Sequence, residues 1–143
     1  MRQGKPPGFH TVTPNIIATD AASLIAFLTQ AFGAVENYRL TLGDGSITHC
    51  ELRVGDSILN VGQSSEGWPP HALVAQLYVE NSDALFYQAV AAGAEVEMPM
   101  TDMFFGSREG RLRDPFGNFW IIATMKEDVA PEEIQRRMRA LGY

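Results

Sequence analysis

Residues 20–34, DAASLIAFLTQAFGA, decide the fold, because residues 80–94, ENSDALFYQAVAAGA, repeat their plan further along the chain. Each stretch has an acidic opening, an apolar helical run and a closing Gly-Ala. Asp20 is predicted to cap the first helix, since a short side-chain oxygen there satisfies a free backbone N–H. Leu24, Ile25, Phe27, Leu28 and Phe32 recur at helical spacing and make a broad apolar face, and Gly33 stands just past the end. Asn81 or Ser82 caps the second helix, which is predicted to end at Gly93.

Strand-like runs surround both copies. Residues 11–18, TVTPNIIA, read as a first strand, and Pro14 marks it as an edge or a bulge because proline cannot donate to a ladder. Residues 37–42 and 46–54 flank Asp44-Gly45, a hairpin signal, and residues 57–62 follow. A polar, proline-rich linker over about 64–72 separates the modules. Residues 73–79 open the second module. After its helix come residues 94–98 and 109–114, set around a loop that contains MTDMFFGSR. Asp114-Pro115-Phe116-Gly117 fits a type I turn and leads into residues 118–124. A last helix over about 131–141 has Pro131, Glu132 and Glu133 in its first turn and Arg136, Arg137 and Arg139 toward its end, as the helix dipole favours. Its stripe of Ile134, Met138 and Leu141 packs on its own domain or forms a dimer contact.

These elements predict an α+β fold. It consists of two paired βαβββ modules, about 11–63 and 73–125, forming a curled mixed sheet around a cleft, plus the C-terminal helix. The whole of 1–143 forms a single domain, with residues 1–9 as a Pro/Gly-rich arm. A hydrophobic fraction of 45% is enough for a core. No apolar run approaches the roughly 18 residues of a membrane span, so no membrane partner is expected. The N-terminus lacks the apolar segment of a secretory signal. Cys50 is the single cysteine, which rules out an intramolecular disulfide and suits a cytoplasmic protein. A net charge of -6 argues against nucleic acid as a partner.

The repeated βαβββ plan, with its final strand after D-P-x-G, resembles the vicinal oxygen chelate superfamily, which includes glyoxalase I, extradiol dioxygenases and bleomycin-resistance proteins. DMFFGSREGRLRDPFGNFWIIAT, KEDVAPEEIQRR and the hairpin GDGSITHCELRVGDSILNV are similar to its PhnB-like branch. The resemblance covers about residues 11–140. It implies two modules side by side, sheets curling around a shared cleft, and commonly a homodimer.

Metal-dependent members hold a divalent ion with His, Gln or Glu at four inward positions, on the first and last strands of each module. Aligned by the helix starts and the D-P-F-G turn, those positions fall here on Thr13, Asn60, Val74 and Ile121. Val74 and Ile121 have no ligating atom, and a shift of one residue brings none. His10 and His71 lie three residues upstream of ligand positions, at loop or strand entries. No metal and no other cofactor is therefore expected.

Strand alternation supplies a candidate lining. Thr13, Asn15 and Ile17 share a face, as do Ile58 and Asn60; Val74, Gln76 and Tyr78; and Phe119, Ile121 and Ala123. Trp68, Phe104, Phe105 and Arg108 are candidates to cover that lining. Aromatic rings would stack a planar ligand, and the Arg108 fork would hold an anionic group. Each has a structural alternative: Trp68 as a packed linker residue, one of the two phenylalanines as core, and Arg108 as an ion-pair partner. His49 and Glu51 form the one candidate acid–base pair on a strand face, or a cross-strand contact. Cys50 reads as a small buried hydrophobe and Asp114 as a turn residue. Three functions follow. The chain binds a small organic molecule in a metal-free cleft, or it is a lyase, isomerase or dioxygenase with reassigned metal ligands or metal-free acid–base chemistry. The third is a structural dimer with a vestigial cleft.

Overall fold

The computed structural model describes residues 4–143 and shows an α+β architecture built from two βαβββ units. The first contains β1 (Asn15–Ala18), α1 (Ala21–Phe32), β2 (Val35–Thr41), β3 (Ile47–Val54) and β4 (Ser57–Gln63). The second contains β5 (Val74–Tyr78), α2 (Ser82–Ala91), β6 (Glu95–Asp102), β7 (Ser107–Arg113) and β8 (Phe119–Met125), followed by α3 (Pro131–Ala140). Each unit forms one four-stranded mixed sheet, in the orders β1-β4-β3-β2 and β5-β8-β7-β6. Within each sheet the first strand lies parallel to the last and the other pairs are antiparallel. Contacts divide the chain into two compact units, and the turn segment Pro115–Asn118 groups with the first. The Asn118 side chain accepts from the Leu73 backbone N–H at 2.9 Å, which fixes the end of the linker there.

The caps explain the helix limits. Asp20 accepts from the Ser23 backbone N–H at 3.1 Å, and Gly33 closes α1 in the left-handed region at φ 67°, where a residue without a Cβ is least strained. Asn81, one of the two predicted caps, starts α2 by accepting from Ala84. That helix stops at Ala91, and Ala92 rather than Gly93 forms its C-cap. In α1 the predicted apolar residues are all buried. Beneath α1 lie Ile16, Cys50, Leu52, Leu59 and Val61; Leu112, Trp120 and Ile122 form the core on the helix side of the second sheet.

Three local expectations change. The first strand begins at Asn15, not residue 11, because Pro14 has no N–H to donate, although its carbonyl still accepts from Asn60. The loop predicted around 100–108 is mostly hairpin: β6 runs to Asp102, β7 starts at Ser107, and the Met103 N–H closes the turn onto Ser107 at 2.7 Å. In α3 no residue is fully buried; Ile134 and Met138 are half-buried and Leu141 is exposed. That helix is tied to its own unit by Arg137, which donates to the Phe104 carbonyl and pairs with Glu127. Residues 4–9 have no regular structure; the rest of the predicted arm, residues 1–3, lies outside the described residues. No helix among the described residues is long and apolar enough to cross a membrane.

Candidate functional site

Each sheet has one face under its helix and a far face turned away from it. On the first sheet, register sets Asn15 beside Asn60, and Asn60 beside Glu51. Tyr38 pairs with Glu51, so Asn15, Asn60, Glu51 and Tyr38 form one row across the four strands of the far face. Ile17 and Ile58 share that face by alternation, as predicted. Thr13 precedes β1 and its carbonyl accepts from the Asn15 amide at 3.2 Å.

The pair His49 and Glu51 also lies on this face, two residues apart on β3. Glu51 accepts from the Asn37 amide at 2.7 Å, and the His49 ring rests against Tyr38 at 5.4 Å between centroids. Each is engaged by a neighbouring strand, so they do not form a hydrogen-bonded acid–base couple. Asn60 differs from both. Its Oδ1 is buried without a hydrogen-bond partner, alone among buried side-chain oxygens and nitrogens of the described residues. An unmet buried acceptor costs about 1–3 kcal/mol, so its retention calls for an explanation.

On the second sheet, register pairs Val74 with Phe119, Gln76 with Ile121 and Tyr78 with Ala123. The five predicted residues Val74, Gln76, Tyr78, Phe119 and Ile121 therefore meet on one far face. Val74 is 71%, Tyr78 63% and Phe119 37% exposed. A shallow depression of about 440 Å³ opens at the Tyr78 end of this row, bounded by Tyr78, Val79, Glu80, Thr124 and Met125.

Other predicted residues stand elsewhere. Arg108 points to the helix side, where it forms a two-pronged pair with Asp83 of α2 at 2.8 and 3.0 Å and reaches Asp102 at 3.2 Å. These carboxylates raise its pKa further, and it is the structural alternative that holds. Phe104 and Phe105 sit in the β6–β7 turn, edge to face at 5.1 Å, with Phe104 also against Tyr143. Trp68 is exposed in the linker, in a turn closed by backbone bonds to Ser65. His10 and His71 are both exposed. Cys50 is buried and donates to Glu36; burial pushes its thiol up to about 12, so it is an inert core group. Asp114 is buried and accepts from the Trp120 indole at 2.9 Å.

Sequence reasoning missed Glu109. It is 3% exposed on the far face of the second sheet, beside Ala123, and accepts from the Ser107 hydroxyl at 2.6 Å. Its odd-numbered parity with Arg111 and Arg113 was a signal for the face. Nothing in the residue type signalled the burial.

The residues at the four chelating positions do not fit a metal. Asn60 offers one weak amide oxygen, and Val74 and Ile121 offer only hydrocarbon. Among the described residues no three or more His, Cys, Asp or Glu side chains stand close enough to hold an ion.

Comparison with known proteins agrees with this architecture. The TioX structure from Micromonospora sp. ML1 superposes with a TM-score of 0.71 at 24% identity, covering 81% of this chain and 98% of TioX. A lactoylglutathione lyase structure from Agrobacterium tumefaciens gives 0.61 at 20% identity, over 84% of this chain and 96% of that one. At such identities the likeness concerns the fold. An uncharacterised protein of Mycobacterium bovis is 33% identical over 144 aligned positions, spanning 92% of this chain and 93% of that protein. Residues 8–122 match the model of one family. The chain belongs to the Glyoxalase/Bleomycin resistance protein/Dioxygenase superfamily.

Proposed function

We propose that this chain is a PhnB-like member of its superfamily that binds a small organic molecule on the far faces of its sheets without a metal. The observation that carries this reading is the far face of the second sheet. Val74, Tyr78 and Phe119 expose large apolar side chains together, with Gln76 and Ile121 between them. Contiguous exposed apolar surface on a folded protein marks an interaction site more often than chance. At the Tyr78 end of that face a shallow depression of about 440 Å³ offers a mostly apolar wall with few polar groups for a ligand to rest against. Val74 and Ile121 stand where the family pattern places chelating residues and offer only hydrocarbon, so ligand contact there is by packing. Homodimeric assembly and a cytoplasmic location belong to the same proposal. Thermal-shift screening of chelator-treated protein against planar drugs and aromatic metabolites tests it. Stabilisation by at least one planar compound is expected, and none across a broad library overturns the reading.

Glu109 favours a second reading, metal-free proton transfer. A carboxylate so buried, with a single hydroxyl donor, has acceptor capacity left for a substrate proton. Turnover of any ligand from that screen, lost in Glu109→Gln with binding retained, supports it; unchanged turnover in that variant refutes it.

A further inference from the structure

We infer that Asn60 is the polar anchor of a ligand site on the first sheet, and that this site takes a planar cyclic amide. The inference deepens the binding function proposed above and rests on it. Asn60 Oδ1 is buried and unpartnered in the middle of a sheet whose neighbouring polar groups are otherwise engaged. Asn15 donates to the Thr13 carbonyl, and Glu51 accepts from Asn37. Both flank Asn60 in register, yet neither bonds to it.

A carboxamide carries an acceptor and a donor in one plane. Its complement is an edge with an adjacent N–H and C=O, which a lactam or a related heterocycle presents. The ligand N–H would meet Oδ1, the group that lacks a partner, and its carbonyl would meet Nδ2. The rest of the ligand has a surface to lie on. Tyr38 stands two strands from Asn60 in the same row, about 10 Å away by strand spacing, and its ring is joined by that of His49. Tyr38 is 47% exposed, so the shelf is accessible. A bicyclic heteroaromatic lactam spans from the amide to the edge of that shelf, where ring stacking adds to the hydrogen bonds. The ionisable side chains on this face are His49, Glu51 and Arg53, all on the inner strand β3. None is needed to neutralise such a ligand, which is uncharged.

This anchor makes opposite predictions for stability and for binding. Asn60→Leu removes the unmet acceptor, so the free protein is left equally stable or more stable. The same change removes the ligand's partner. A group serving only the fold would move both in the same direction.

The experiment titrates the ¹⁵N-labelled full chain with 2-quinolinone and with 1-methyl-2-quinolinone, which lacks the N–H, and repeats both with Asn60→Leu. Expected are a shift of the Asn60 side-chain amide signals on adding 2-quinolinone, about tenfold weaker binding of the methylated probe, and a similar loss in the variant. The variant should melt at or above the temperature of the parent. Equal affinity for the two probes, undiminished binding by Asn60→Leu, or a lower melting temperature for that variant overturns the inference. Shifts confined to Tyr78, Phe119 and Ile121 would overturn it too, while leaving the broader binding function intact. No response to 2-quinolinone overturns it as well, and the library screen decides the broader function separately.

Discussion

Substituting Gly110 by alanine separates the two faces of the second sheet. Gly110 lies on β7 beneath α2, at a position where a Cβ would stand 2.5 Å from Phe86 Cε2, 2.9 Å from Phe86 Cδ2 and 2.9 Å from Met100 Sδ. Carbon atoms in good contact are about 3.5–4.0 Å apart, so the ring must retreat by about 1 Å. Met100 is flexible and can yield. Phe86 is 2% exposed and cannot move without displacing α2. Overpacking of this kind costs about 1–3 kcal/mol. For a chain of this length each kcal/mol lowers the melting temperature by about 2–4 °C, so Gly110→Ala should melt about 2–12 °C below the parent. Adding Phe86→Leu, which takes away Cε2, the nearest clashing atom, should restore part of the loss. The ligand identified by thermal-shift screening should bind the single variant with unchanged affinity, because Gly110 faces the helix side. Calorimetry on the parent and both variants measures this alongside thermal unfolding. An unshifted melting temperature, or a tenfold change in affinity, would refute the assignment of packing to one face and binding to the other.

Arg108→Ala should likewise leave ligand affinity unchanged, since both of its acidic partners lie away from the far face; calorimetry that shows lost binding would return it to the site. Cys50 should resist thiol reagents at pH 8 in the folded protein and react once denatured, because burial holds the thiol near 12. Docking of α3 should weaken in acid. Arg137 of α3 donates to Glu127 outside the helix and holds that carboxyl below its ordinary value of 4.5. A depressed carboxylate stabilises the folded form above its unfolded pKa and loses that contribution as pH falls through the folded one. Signals of Phe104 and Tyr143 should therefore report release of α3 as pH falls below about 4.5, and invariant signals through that fall would contradict it.

Much of this architecture was readable because local signals agreed with each other. The repeated helices carried their own caps, Asp20 and Asn81, and Asp44-Gly45 marked the hairpin at its turn. Alternation then assigned the far-face residues correctly wherever a strand ran without a bulge, as in β5 and β8. It was less informative around β6, whose pairing with β7 shifts twice, so the segment before Arg108 read as loop. Arg108 could still have been placed, since it differs in parity from Arg111 and Arg113. Glu109 and Asn60 were a different matter. Both residue types are ordinary on strands, and what distinguishes them here is burial against their hydrogen-bond supply, a property of packing rather than of pattern.

Calorimetric titration of the screened ligand into protein before and after exhaustive chelation tests the metal-free binding site most directly. Equal affinity and one-to-one stoichiometry per chain in both preparations are expected, because Thr13, Asn60, Val74 and Ile121 have no set of ligating atoms to lose an ion from. Binding that disappears on chelation and returns with a stoichiometric divalent ion would contradict it.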